Sequence, residues 1–236
     1  MLVQHTIATP GADRRFFSAM ALVAALVVFA GFAPTYFLKQ VFGTPPLSPL
    51  FHLHGALFTS WIVLFIVQTS LIATKRVWLH QRLGILGGFL AGAMLIVGYL
   101  VAITATRRAV NAGAAEALGF LVVPIGDLLQ FAVLIALGLY FRRRPQVHKR
   151  LLLLATIALL APAIARLPHV LSYGPLGFFG LTDLFIAICF IYDRVVRGRI
   201  HPAFLWGGIS MVVFQIFRVL IGGTSVWLAF AGWLIK

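Results

Sequence analysis

Acidic side chains are almost missing from this chain: five Asp and Glu stand against 19 Lys and Arg in 236 residues. Charged residues of both signs make up only 10%, where a soluble domain carries about 25%. That shortfall excludes an ordinary soluble globular domain. Cysteine is nearly absent too, and the single Cys189 excludes an intramolecular disulfide and a thiolate metal cluster. It falls in an apolar stretch and reads as a packing thiol. No low-complexity segment or long polar linker divides the chain. Nucleotide-binding loops, nucleophile elbows, HExxH pairs and EF-hand patterns are also lacking.

What remains is hydrophobic: 61% of the residues, with a mean hydropathy of +1.03. Apolar runs of about 20 residues, the length that crosses ~30 Å of hydrocarbon, recur along the chain and leave no room for a soluble domain. We read one membrane domain over 1–236, an all-α integral membrane protein of about seven spans. These fall at roughly 16–38, 50–73, 83–105, 119–140, 151–171, 176–192 and 203–222. The first follows Arg14 and Arg15 as a signal sequence would, but its apolar run is too long for one. It therefore reads as an uncleaved helix. After Gly222-Gly223, the segment 226–236, with Trp227, Phe230 and Trp233, is too short to cross and reads as an interfacial helix. The partner implied throughout is the lipid bilayer.

The net charge of +14 would suit nucleic acid, but the cations sit in short loops, where they act as topology signals. Nucleic-acid binding is set aside on that ground. Thirteen Lys and Arg fall in the loops of one side, from Arg14 and Arg15 through Arg142, Arg143, Arg144, Lys149 and Arg150 to Arg199. Four, Lys39, Arg107, Arg108 and Lys236, fall on the other. The richer side is expected in the cytoplasm, with the N-terminus inside and the C-terminus outside. Three loops on that side place His80, His148 and His201 behind basic clusters where an outward-running helix begins. This suggests a lone first helix followed by three repeated helical hairpins.

Four charges, Asp127, Arg166, Asp183 and Arg218, lie within the expected spans. Each costs ~2.5–3.5 kcal/mol to insert, so they are expected to face the bundle interior and pair. Counting about 1.5 Å per residue from the basic end, Asp127, Arg166 and Arg218 lie ~20–23 Å up and Asp183 ~14 Å. We expect each Asp to pair with Arg166 or Arg218, either as clasps between spans or as the wall of a polar site. By the same count His54 and His169 share a layer at ~27–28 Å. Two histidines on different helices at one depth are what bis-imidazole haem ligation requires, and they could also share a metal. Trp61 and Gln68 follow His54 at seven-residue steps and turn that face inward. Phe51, Phe58 and Phe178 are candidates to line a haem slot, with Arg166 and Arg218 as cations for its propionates. His80, His148 and His201 form a second, inner layer that could bind zinc or copper.

The combination HLHG (52–55), GD (126–127), HKRL (148–151), ARL (165–167), TD (182–183), HPAFLWGG (201–208) and QIFR (215–218) resembles a family of bacterial multi-pass membrane proteins described as a domain of unknown function. The resemblance covers about residues 50–235 and implies a bacterial inner membrane location, so the outside C-terminus expected from the charge count would lie in the periplasm. Histidines in two layers of a helical bundle are distantly similar to b-type cytochromes and haem A synthase, which implies haem b as a cofactor. In those proteins the ligands sit within paired helices, whereas here the inner three stand at helix starts.

The leading expectation is therefore an intramembrane His/Asp/Arg site that binds haem or a transition metal in a redox or metal-handling role. The alternatives are a proton-coupled small-solute transporter or channel, and an assembly or scaffold protein with no catalytic site. No reaction or catalytic residue follows from the sequence, nor does the identity of any small-molecule or protein partner. The charge asymmetry is directly testable: reporter fusions in the 106–118 loop and at the C-terminus should both report the outside. A cytoplasmic C-terminus would mean an even number of crossings.

Overall fold

The structure is a computed structural model that describes residues 10–236. Among the described residues there are helices and connecting turns but no strand. The helices are α1 (Pro10–Phe32), α2 (Pro49–Ala73), α3 (Val77–Asn111), α4 (Ala117–Phe120), α5 (Val122–Tyr140), α6 (Pro145–Ala158), α7 (Ala161–Ile164), α8 (Gly174–Arg197), α9 (Pro202–Ile221) and α10 (Ser225–Leu234). Seven stretches are long and apolar enough to cross a membrane: 11–37, 49–73, 77–111, 117–140, 145–164, 171–197 and 202–221. The chain is a multi-pass all-α membrane protein.

Local chemistry sets the helix ends. Proline stands in the first turn of α2, α6, α8 and α9, where its missing N–H has no helical partner to lose. The His201 ring accepts the Ala203 N–H at 3.1 Å and Thr224 the Trp227 N–H at 3.3 Å, capping α9 and α10. α8 stops at Gly198, whose φ of 72° suits a residue without Cβ. Beyond Phe32, α1 widens into a π-helical turn over Ala33–Phe37, closed by Leu38 N–H donating to Ala33 O at 2.8 Å. Pro34 cannot donate in the regular ladder, and the wider turn accommodates it.

The fifth crossing is the hub. Leu153, Leu154, Ala155, Thr156, Ile157 and Ala158 are all buried in sequence, which a helix shows only when it is surrounded. α6 touches α1, α5, α8 and α9. Trp61 reaches it from α2, its indole N–H donating to Thr156 Oγ1 at 3.3 Å while its ring meets Phe131 edge-on. The outer faces are apolar and exposed, as at Ile85, Phe89, Leu176, Val213 and Leu220, and suit a lipid surround. α10 packs beside α3 and α4: the Trp227 indole donates to Leu118 O at 3.0 Å, and Arg107 to Ile235 O at 2.5 Å.

The first, third, fifth and sixth spans depart from the sequence expectation, the third and fifth most of all. α3 runs over Val77–Asn111 rather than 83–105, because Arg82, Arg107 and Arg108 are good helix formers and no proline stops the helix. At 35 residues it is ~52 Å long and outruns the hydrocarbon. The fifth crossing ends at Ile164 instead of 171. Pro162 begins the short α7, and Pro168 pushes Leu167 out of helical geometry, so residues 165–170 form turns.

Gly31 of α1 lies against the Ala163 backbone of α7, where a Cβ would collide with the carbonyl. Gly31→Ala should therefore lower stability by about 1–3 kcal/mol, read as an earlier unfolding midpoint in detergent. An unchanged midpoint would mean that α1 is not seated there.

Candidate functional site

Two polar clusters lie inside the bundle, and they differ in how completely their atoms are partnered. The first ties together the basic ends of α1, α6, α8 and α9. Arg150 of α6 is fully buried beside the equally buried Asp193 of α8. Its Nε donates to Asp193 Oδ2 at 2.9 Å, and Nη2 pairs with Oδ1. Nη1 donates to the Gln146 backbone and side-chain oxygens, both at 2.9 Å, and the guanidinium lies 5.1 Å from the Phe204 ring centre. Asp193 Oδ2 also accepts the His201 N–H at 3.0 Å, which anchors the start of α9. On α1, Asp13 accepts from Tyr192 at 2.6 Å, from Arg197 at 2.6 Å and from Lys149.

Sequence reasoning placed Arg150 among the cytoplasmic loop cations and missed Asp193. The available signal was the rarity of carboxylates: an aspartate closing an apolar helix in a chain with five acids asks for a buried partner.

The second cluster lies deeper. Arg218 of α9 donates from Nη1 to Asp127 Oδ1 at 2.6 Å and to Val123 O at 3.1 Å, both on α5. Both side chains are buried. The guanidinium is packed by Phe179 and Phe214, at 4.8 and 5.1 Å from their ring centres. Gly126 makes the approach feasible, since a Cβ there would occupy the place of the Arg218 side chain. Gln130, Thr182 and Gln215 line a small cavity beside the pair, closed by Phe179, Met211, Ala158 and Ala161. Its volume is ≈ 10 Å³, on the scale in which one water occupies about 10–15 Å³. Asp127 Oδ2 and Arg218 Nε are buried and make no hydrogen bond.

One of the two pairings expected from the sequence is present, Asp127 with Arg218, and the other is corrected. Asp183 meets no arginine; its Oδ1 is buried without a partner, and Gln215 is its polar neighbour. Arg166 pairs with neither aspartate and stands near His54. It is exposed, donates to Pro162 O at 2.7 Å and lies over Phe32. The expected pairing had assumed a helix continuing past residue 164, and the prolines end it.

The same break removes the depth count that placed His54 and His169 in one layer. His169 is exposed in a turn at φ 63°, so a depth counted along a continuous helix does not apply to it. His54 is half-buried against Phe58, ring centres 4.1 Å apart, with Nδ1 unpartnered. Phe51 lies under Arg108, and Phe178 packs with Phe179 and Phe120, so the three slot phenylalanines have separate surroundings. Among the inner histidines, His80 and His148 meet with ring centres 6.2 Å apart, while His201 caps α9. Among the described residues no three His, Cys, Asp or Glu side chains group as a metal site. No family model, curated protein or solved structure matches the chain.

The Arg150–Asp193 cluster predicts a clear pattern in a mutant cycle. Either Arg150→Met or Asp193→Leu alone should cost about 3–5 kcal/mol by stranding a buried charge. The double variant should cost clearly less than the sum, measured by denaturation in detergent; additivity would mean that the two do not interact. His201 adds a pH dependence. Burial, then the nearby Arg150, holds its imidazole below the usual histidine range. The unfolded chain therefore binds more protons between the two values, and stability should fall as pH drops through ~6.5. His201→Asn keeps a capping side chain and should flatten that acid limb; an unchanged limb would assign the titration to another group.

Proposed function

We propose that the chain is a proton-conducting transporter or channel whose central ionisable element is the Asp127–Arg218 pair. One observation carries the reading: a buried pair at the edge of a water-sized polar cavity with Asp127 Oδ2 and Arg218 Nε left without partners. Leaving a buried charged group's hydrogen bond unmade costs about 1–3 kcal/mol or more. A clasp selected for stability alone would close those bonds, as the Arg150 and Asp193 side chains do between themselves, Gln146 and the His201 N–H. A water in the cavity would reach the free carboxylate oxygen, with Gln130, Thr182 and Gln215 as further polar stations. Protonating Asp127 weakens its hold on Arg218, so proton arrival and a shift of α9 against α5 become linked. Intramembrane ionisable groups commonly serve as relays of this kind.

The haem or metal alternative built on His54 and His169 has less support, because His169 stands in an exposed turn. A purified protein with a Soret band would reverse that order. The scaffold reading is an outcome of the following test. Protein reconstituted in liposomes with an internal pH dye should admit protons under a potassium-valinomycin potential, with or without external amino acids, sugars or phosphate. Asp127→Asn should reduce the flux by roughly tenfold or more. Wild-type flux no greater than that of empty liposomes, or full flux in Asp127→Leu/Arg218→Met, would leave the pair a structural clasp.

A further inference from the structure

We propose that His80 and His148 form a two-coordinate binding site for monovalent copper at the basic end of the bundle. The site is separate from the Asp127–Arg218 cavity. His80 lies in the first turn of α3 and His148 in the first turn of α6, so the two rings come from different hairpins. They are half-buried, with centres 6.2 Å apart and planes at 83°.

The His148 ring is set by a backbone carbonyl. His148 Nδ1 is 2.8 Å from Gly138 O, near the end of α5, so it carries the proton and donates. Its Nε2 is then left with the lone pair. The Gln68 backbone carbonyl lies beside the His80 ring, and His80 Nδ1 is buried with no partner. A carbonyl that takes one ring N–H and orients the other nitrogen is the usual second-shell arrangement of a metal-binding histidine.

Separation and charge select the ion. Two imidazoles placed linearly about one metal, each with a metal–nitrogen bond of ~2 Å, put the ring centres about 6–6.5 Å apart. A tetrahedral dication would draw them closer, to about 5 Å. The surrounding charge is positive, which disfavours a dication. Asp13 and Asp193 are shared among three cations, Lys149, Arg150 and Arg197, and Arg82 lies over Trp78 with no carboxylate beside it among the described residues. A soft, singly charged ion satisfied by two neutral ligands fits this setting. The third histidine of the repeated loops is excluded by its own structure, since His201 Nδ1 accepts the Ala203 N–H.

The test is an anaerobic Cu(I) titration of tag-free protein in nanodiscs against a chromophoric Cu(I) chelator. One Cu(I) per chain is expected. X-ray absorption of the loaded wild type should show two nitrogen neighbours with imidazole outer-shell scattering, a readout that needs no variant. His80→Asn and His148→Asn should each weaken Cu(I) binding by roughly tenfold or more, while His54→Asn and His201→Asn should leave it unchanged. Thermal unfolding of each variant would separate ligand loss from misfolding. Absence of Cu(I) binding by the wild type, a spectrum without imidazole, or wild-type affinity in a folded His80→Asn or His148→Asn protein would overturn the proposal. So would tighter binding of Zn(II) than of Cu(I).

Discussion

The bidentate contact between Arg150 and Asp193 is the constraint on which the basic half of the bundle depends. Neither charge reaches solvent, and each would be prohibitively costly in hydrocarbon alone. Their union fixes α6 against α8, and the remaining Asp193 valence holds the start of α9 through the His201 N–H. Asp13 brings α1 to the same point through Lys149, Tyr192 and Arg197. Four crossings are thus registered at one end by groups that leave few bonds unmade.

The deeper site inherits its geometry from that clasp. From Asp193 to Thr182 is about 16 Å along α8, from Arg150 to Ala158 about 12 Å along α6, and from His201 to Arg218 about 25 Å along α9. Three stiff helices clamped at one end therefore carry the cavity wall further along. α5 adds Asp127 and the glycine beside it, whose missing Cβ leaves room for the Arg218 side chain. Completeness at the Arg150–Asp193 pair and incompleteness at the cavity divide the labour. The closed network holds the helices, and the open one retains a carboxylate oxygen and a guanidinium nitrogen available to a mobile species.

The histidines show how a shared sequence pattern separates in three dimensions. His80, His148 and His201 occupy like positions in three loops. Packing turns the first two rings toward each other, whereas the local turn before Pro202 commits the third to capping. His169 is removed from the interior by chemistry one residue away: Pro168 ends the helical path that would have carried it inward.

The sequence alone determined the lipid solvent, the seven crossings, the need for Asp127 and Arg218 to find partners, and their matching depth. These are local properties: hydropathy accumulates over about twenty neighbouring residues, and depth follows from a fixed rise per residue. Packing decided what lies across a helix surface. It chose Arg218 for Asp127, left Asp183 beside Gln215 and Arg166 over Phe32, and drew Arg150 from an apparent loop cluster into the core. The direction a side chain faces depends on which helices surround it, and those neighbours come from distant parts of the chain whose contacts no local period specifies.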